Sequence, residues 1–98
     1  MIEINHENGR ITISGHAGYA ENGKDIVCAA VSALTETFIA SVEELTADEL
    51  KAVTEPGNAI IEYKELSKRA TVLLSSFFIG LNMIAATYPD HIKILPKH

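Results

Sequence analysis

The chain contains one cysteine and no tryptophan. A lone cysteine excludes an internal disulfide, so packing alone must hold the fold. Aromatic residues are few, three Tyr and three Phe, which leaves the core to aliphatic side chains. Basic residues are scarce as well: eight Lys and Arg against thirteen Asp and Glu give a net charge of −5. That deficit argues against direct nucleic-acid binding, which needs cationic groups to displace counterions. It suits a basic protein partner, because opposite charge speeds encounter. The opening MIEINHENGR lacks a basic stretch followed by an apolar run, so no signal peptide is evident. Together with the missing disulfide, this points to a reducing, cytoplasmic setting. One long uncharged run, ATVLLSSFFIGLNMIAATY at 70–88, has the length to span a bilayer. Ser75, Ser76, Asn82 and two threonines dilute it, and no Trp marks an interface. It therefore reads as a buried helix, with no membrane contact expected.

What the sequence does contain is a regular alternation of short strands and two amphipathic segments. Ninety-eight residues suit one domain, 1–98. IEIN (2–5) and RITIS (10–14) alternate Ile with polar residues, the pattern of half-buried strands. Asn8-Gly9 between them tolerates positive φ and closes a hairpin. Asp25 is placed to cap a helix over 26–46, with Val27, Val31, Leu34, Phe38, Val42 and Leu45 on its core stripe. A second hairpin follows: strands over 50–55 and 59–64 about a Pro56-Gly57-Asn58 turn. A helix over 66–88 buries Leu66, Ala70, Leu73, Leu74, Phe77, Leu81, Ile84 and Tyr88, and HIKIL at 91–95 forms a last strand. The order ββαββαβ predicts an α+β fold, two helices packed on a mainly antiparallel or mixed sheet. The second helix carries a further apolar stripe, Val72, Ile79, Met83 and Ala86, nearly opposite the first. A surface helix normally shows a polar face there, so the stripe predicts a symmetric dimer interface.

The chemistry-bearing candidates lie in GHAGYAENGKDIVCAA, 15–30. Cys28 falls in the first turn after Asp25, where free backbone N–H groups and the helix dipole favour a thiolate. At roughly 100° per residue, Cys28 and Ser32 flank the core stripe, which leaves the thiol reachable. His16 leaves strand two at the end that meets the helix N-terminus if the strand lies under the helix. An imidazole beside a thiol is the arrangement of an activated nucleophile. Asp25 could orient that imidazole or only cap the helix. A cysteine within IVCAA is equally the pattern of an inert core residue, and the spacing does not decide between them. His6, His16, His91, His98 and Cys28 show no zinc-like ligand spacing. Gly15, Gly18 and Gly23 match neither a dinucleotide nor a phosphate-loop fingerprint. No metal or cofactor is expected.

Gly-His-Ala at 15–17 joined to GKDIVCAAVSAL at 23–34 resembles the signature of the ribosomal-processing cysteine protease (Prp) family, and the likeness spans the whole chain. The resemblance implies an α+β bacterial endopeptidase, acting as a homodimer. It would remove the N-terminal extension of a large-subunit ribosomal protein. It implies Cys28 as nucleophile and His16 as general base, with Gly15, Asp25 and Ser32 in support. By position, at the free end of the helix, the amide of Cys28 and a neighbouring helix N-terminal amide are both available as oxyanion donors, and the sequence does not choose between them. The loop 16–25, rich in glycine, is expected to be mobile until substrate orders it. Two other functions fit the bare residues: a non-catalytic ribosome-associated binding module, and a thiol redox sensor, though the chain holds no resolving cysteine.

Overall fold

The computed structural model describes residues 1–21 and 23–95. Asn22, part of the loop expected to be mobile, and His98, weighed above as a ligand, lie outside the described residues. Seven elements follow in the expected order: β1 (Ile2–Glu7), β2 (Arg10–Ser14), α1 (Ile26–Leu45), β3 (Lys51–Glu55), β4 (Asn58–Glu62), α2 (Lys68–Thr87) and β5 (Ile92–Leu95). The five strands form one sheet in the order β3-β4-β2-β1-β5. Every pairing is antiparallel except β1 with β5, so the sheet is mixed. Asn8 (φ 49°) and Gly9 (φ 75°) close the first hairpin in left-handed conformations.

Alternation along the strands separates two faces. Ile2, Ile4, Ile11, Ile13, Ala59, Ile61 and Ile92 are buried under the helices. On the other face Lys51, Glu62, Arg10 and Glu7 form one cross-strand row of alternating charge, beside an apolar pair of Val53 and Ile60. Such opposition supports strand pairing and keeps the uncovered face wetted.

Each helix lays one side on the apolar face. Val27, Val31, Phe38 and Val42 of α1 and Ala70, Phe77 and Leu81 of α2 are buried, and Phe38 stacks on Phe77 with ring centroids 4.9 Å apart. Full burial of each such ring contributes about 1.5–3 kcal/mol. Both helices are long and apolar enough to cross a membrane by length and composition, and each turns one apolar stripe into the core. Gly80 lets them approach: a Cβ there would lie 2.9 Å from Leu34 Cδ1.

Two details of the core depart from expectation. Leu45, assigned to the stripe of α1, is exposed because it is the last helical residue. Thr35 is buried instead, its hydroxyl donating to the Val31 carbonyl at 2.7 Å, which satisfies the one polar group it carries inward. The second helix begins at Lys68 rather than 66, because the Ser67 side chain caps it by accepting from the Ala70 amide at 3.2 Å.

Candidate active site

The strand order decides what surrounds the Gly-His-Ala segment. β4 pairs with β2, so the β3–β4 turn lies beside the end of β2. The Gly15 amide donates to the Gly57 carbonyl at 2.9 Å and ties the two together. Gly15 itself has φ 95°, and a Cβ there would collide with the Met1 carbonyl. Only glycine can make this exit from the sheet. The His16 ring then lies over the turn, so close that a Cβ on Gly57 would be 2.7 Å from its Nε2.

Across from it stands the N-terminus of α1. Asp25 is the cap, with φ −82° and ψ 102°. Its Oδ1 accepts from the amides of Val27 and Cys28, each at 3.0 Å, and its Oδ2 from Tyr19 at 3.0 Å and Ala20 at 3.4 Å. Burial pushes this carboxyl up, but the amides of Cys28, Tyr19, Ala20 and Val27 together hold it below its ordinary value. Asp25 therefore joins loop to helix, and no hydrogen bond links it to His16 among the described residues. The Cys28 amide, one of those available by position to an oxyanion, donates to Asp25, because a cap draws on the same N–H groups that an oxyanion hole would use.

Cys28 is half-buried, as its flanking position on the wheel predicts. Its Sγ accepts from the amide of Ala17 at 3.3 Å. No hydrogen bond joins His16 to Cys28 among the described residues, but both open onto one cleft of about 780 Å³. Gly15, Asp25 and Ser32 line the same cleft, so all five sequence candidates converge. The far wall is the β3–β4 turn, Pro56, Gly57 and Asn58, with Glu36 and Glu55 at its sides. Sequence reasoning saw only a turn at 56–58. Nothing local marks it as part of the site, since its place depends on β4 pairing with β2. No Lys or Arg among the described residues lines the cleft. Among the described residues, no group of three or more His, Cys, Asp or Glu is arranged to hold a metal ion. His6 lies at the other end of β1, its Nε2 hydrogen-bonded to the Tyr63 hydroxyl at 2.6 Å and its ring stacked on Phe78.

A thiol on the first turn of a helix, with an imidazole across an open cleft on a mixed α+β sheet, is the constellation of a cysteine peptidase. Comparison with known proteins carries this to a family. The sequence model of the cysteine protease Prp family matches residues 1–93, and the chain belongs to that family. It is 35% identical over 96 residues to the ribosomal processing cysteine protease Prp of Mycoplasma genitalium, covering 96% of this chain and 94% of that protein. It is 28% identical over 102 residues to the protein of the same name from Bacillus subtilis, covering 95% and 91%. The fold is similar to the crystal structure of an essential ribosomal processing protease Prp from S. aureus in complex with a covalently linked product peptide. That match has a TM-score of 0.85 at 23% identity and covers 95% of this chain and 94% of that one.

Proposed function

We propose that residues 1–98 act as a single cysteine endopeptidase domain that removes the N-terminal extension of a large-subunit ribosomal protein in the bacterial cytoplasm. The observation that carries the reading is the convergence of His16 and Cys28 on one cleft at the N-terminus of α1. Relatives that share most of the chain's length are named as ribosomal processing proteases. The acidic chain and a cleft flanked by Glu36 and Glu55 suit the approach of a basic ribosomal protein.

The steps follow from the groups present. His16 takes the Cys28 thiol proton, and the thiolate attacks the scissile carbonyl to give a tetrahedral intermediate. The C–N bond then breaks, and His16 returns the proton to the leaving amine. A water that loses its proton to His16 hydrolyses the remaining thioester, which restores the thiol. The helix N-terminus and the Ala17 amide, 3.3 Å from Sγ, favour the thiolate. In the substrate-free chain the imidazole rests against the β3–β4 turn. Seating of the peptide in the cleft brings the ring to the sulfur, and the glycine at 15 supplies the backbone freedom for that movement. Asp25 is a positioning residue here, holding loop and helix together. Ser32 borders the peptide one helical turn beyond the nucleophile.

Two copies of the chain pair through the exposed face of α2, at Val72, Ile79, Met83 and Ala86. No metal or cofactor takes part in these steps.

The test is incubation with N-terminally extended large-subunit ribosomal proteins, read by mass spectrometry. A single internal cut near the N-terminus is expected. Cys28→Ala and His16→Ala should each lower its rate by about 10³-fold or more. Cleavage that survives Cys28→Ala would overturn the assignment.

A further inference from the structure

Beside the nucleophile lies a group that the steps above do not use. His91 occupies the turn between α2 and β5, and its Nδ1 is 2.9 Å from the carbonyl oxygen of Ala17. A carbonyl can only accept, so Nδ1 carries the hydrogen and donates it. Ala17 is the same residue whose amide donates to Cys28 Sγ at 3.3 Å. It is 2% exposed, so it is held on both sides: His91 grips its carbonyl, and the sulfur receives its N–H.

His91 is itself anchored from three directions. Its amide donates to the Tyr88 carbonyl at 3.0 Å, and its own carbonyl accepts from the Ile2 amide at 2.9 Å. Tyr19 meets the imidazole edge-on at 5.4 Å and meets Tyr88 in the same way. By contrast, the segment it grips has little conformational preference of its own. Gly15 and Gly18, on either side of His16-Ala17, have φ 95° and 68°, and a Cβ on Gly18 would touch nothing within 4 Å. A tether from a distant element must therefore set the direction in which the Ala17 amide points.

We propose that His91 is a positioning residue for the Cys28 thiolate: its Nδ1–H fixes the Ala17 carbonyl so that the Ala17 amide stays aimed at the sulfur. The inference rests on the reading of Cys28 as nucleophile. A hydrogen bond to the charged form favours that form, so losing the tether should leave the thiolate less stabilised and slow the attack. A merely structural role for His91 would change stability and leave the sulfur's ionisation alone.

Two substitutions in the full chain separate these roles. His91→Phe keeps a ring against Tyr19 but removes the donor. His91→Asn loses the ring but places a side-chain N–H close to the position of Nδ1. Cys28 is the only cysteine, so iodoacetamide alkylation followed against pH reports its ionisation without any substrate. In H91F the midpoint should rise, and kcat/KM should fall about tenfold, mostly in kcat. In H91N both should return close to the parent values, whatever its melting temperature. H91F with the parent midpoint and kcat, or H91N as impaired as H91F, overturns the role of His91. If H91F does not fold, His91→Leu takes its place with the same outcomes: a raised midpoint supports the tether and the parent midpoint overturns it. Loss of cleavage in Cys28→Ala alongside an unmoved H91F midpoint defeats only this inference, whereas cleavage in Cys28→Ala defeats the nucleophile reading itself.

Discussion

At the scale of single residues, the cleft depends on positions where a side chain of ordinary size is not tolerated. Gly57 combines two such demands. Its φ of 75° lies in the left-handed region, and an added Cβ would stand 2.7 Å from His16 Nε2 and 3.0 Å from Cε1. Backbone strain of about 1–2 kcal/mol would coincide with displacement of the ring. Gly57→Ala should therefore lower the melting temperature by several degrees and reduce kcat/KM about tenfold or more. Peptide-cleavage kinetics beside a thermal melt measure both, and a destabilised but fully active variant would show that the ring does not need its resting place. Asp25 makes the complementary point. One carboxylate serves four backbone donors, which explains why a cap residue also governs the loop ahead of the helix.

Among the elements, the link between β1, the end of β4 and α2 is a small neutral cluster. His6 of β1 is hydrogen-bonded to Tyr63, which follows β4, and stacks on Phe78 of α2 with ring centroids 5.1 Å apart. Burial lowers the His6 pKa from its ordinary 6.5 and raises that of Tyr63, so both are neutral in the folded chain near pH 7. The unfolded chain binds a proton at His6 more readily than the folded one. The stability that His6 supplies is therefore complete above its ordinary pKa and erodes as pH falls from about 6.5 through the lowered folded value. Thermal melts should show the parent losing a few degrees between pH 7.5 and pH 5. His6→Gln, which can still hydrogen-bond the Tyr63 hydroxyl, should flatten that slope. An equal slope in the variant would place the effect on other groups.

For the whole molecule, the question is what covers α2. Val72, Ile79 and Met83 are 67%, 63% and 67% exposed, on the side of the helix opposite Phe77 and Leu81. A second copy of the same face would bury all of them symmetrically. The parent chain should then run in solution at about twice its 10.6 kDa. Met83→Glu, placing a charge at an exposed position, should yield folded monomers. Light scattering coupled to size exclusion decides it, and a Met83→Glu variant that keeps the dimer mass would rule out this face.

Much of this is legible in the sequence itself, and the reason is local. Ile2 and Ile4, Ile11 and Ile13, and the stripes of α1 and α2 are periodic signals that each segment carries alone. Asn8-Gly9 and Asp25 act on their immediate neighbours, so hairpin and cap could be read directly. The element order and the α+β class followed, as did the Gly-His-Ala and Asp-Ile-Val-Cys pair that marks the family. Long-range pairing decided the rest. The placement of β4 against β2 carried the turn at 56–58 to the wall of the cleft and set Gly57 under His16. Hydrogen bonds that compete for the same donors assigned the Cys28 amide to Asp25 rather than to an oxyanion. The approach of His91 to Ala17, 74 residues apart, has no trace in the sequence, because a contact between distant segments exists only once the chain has closed.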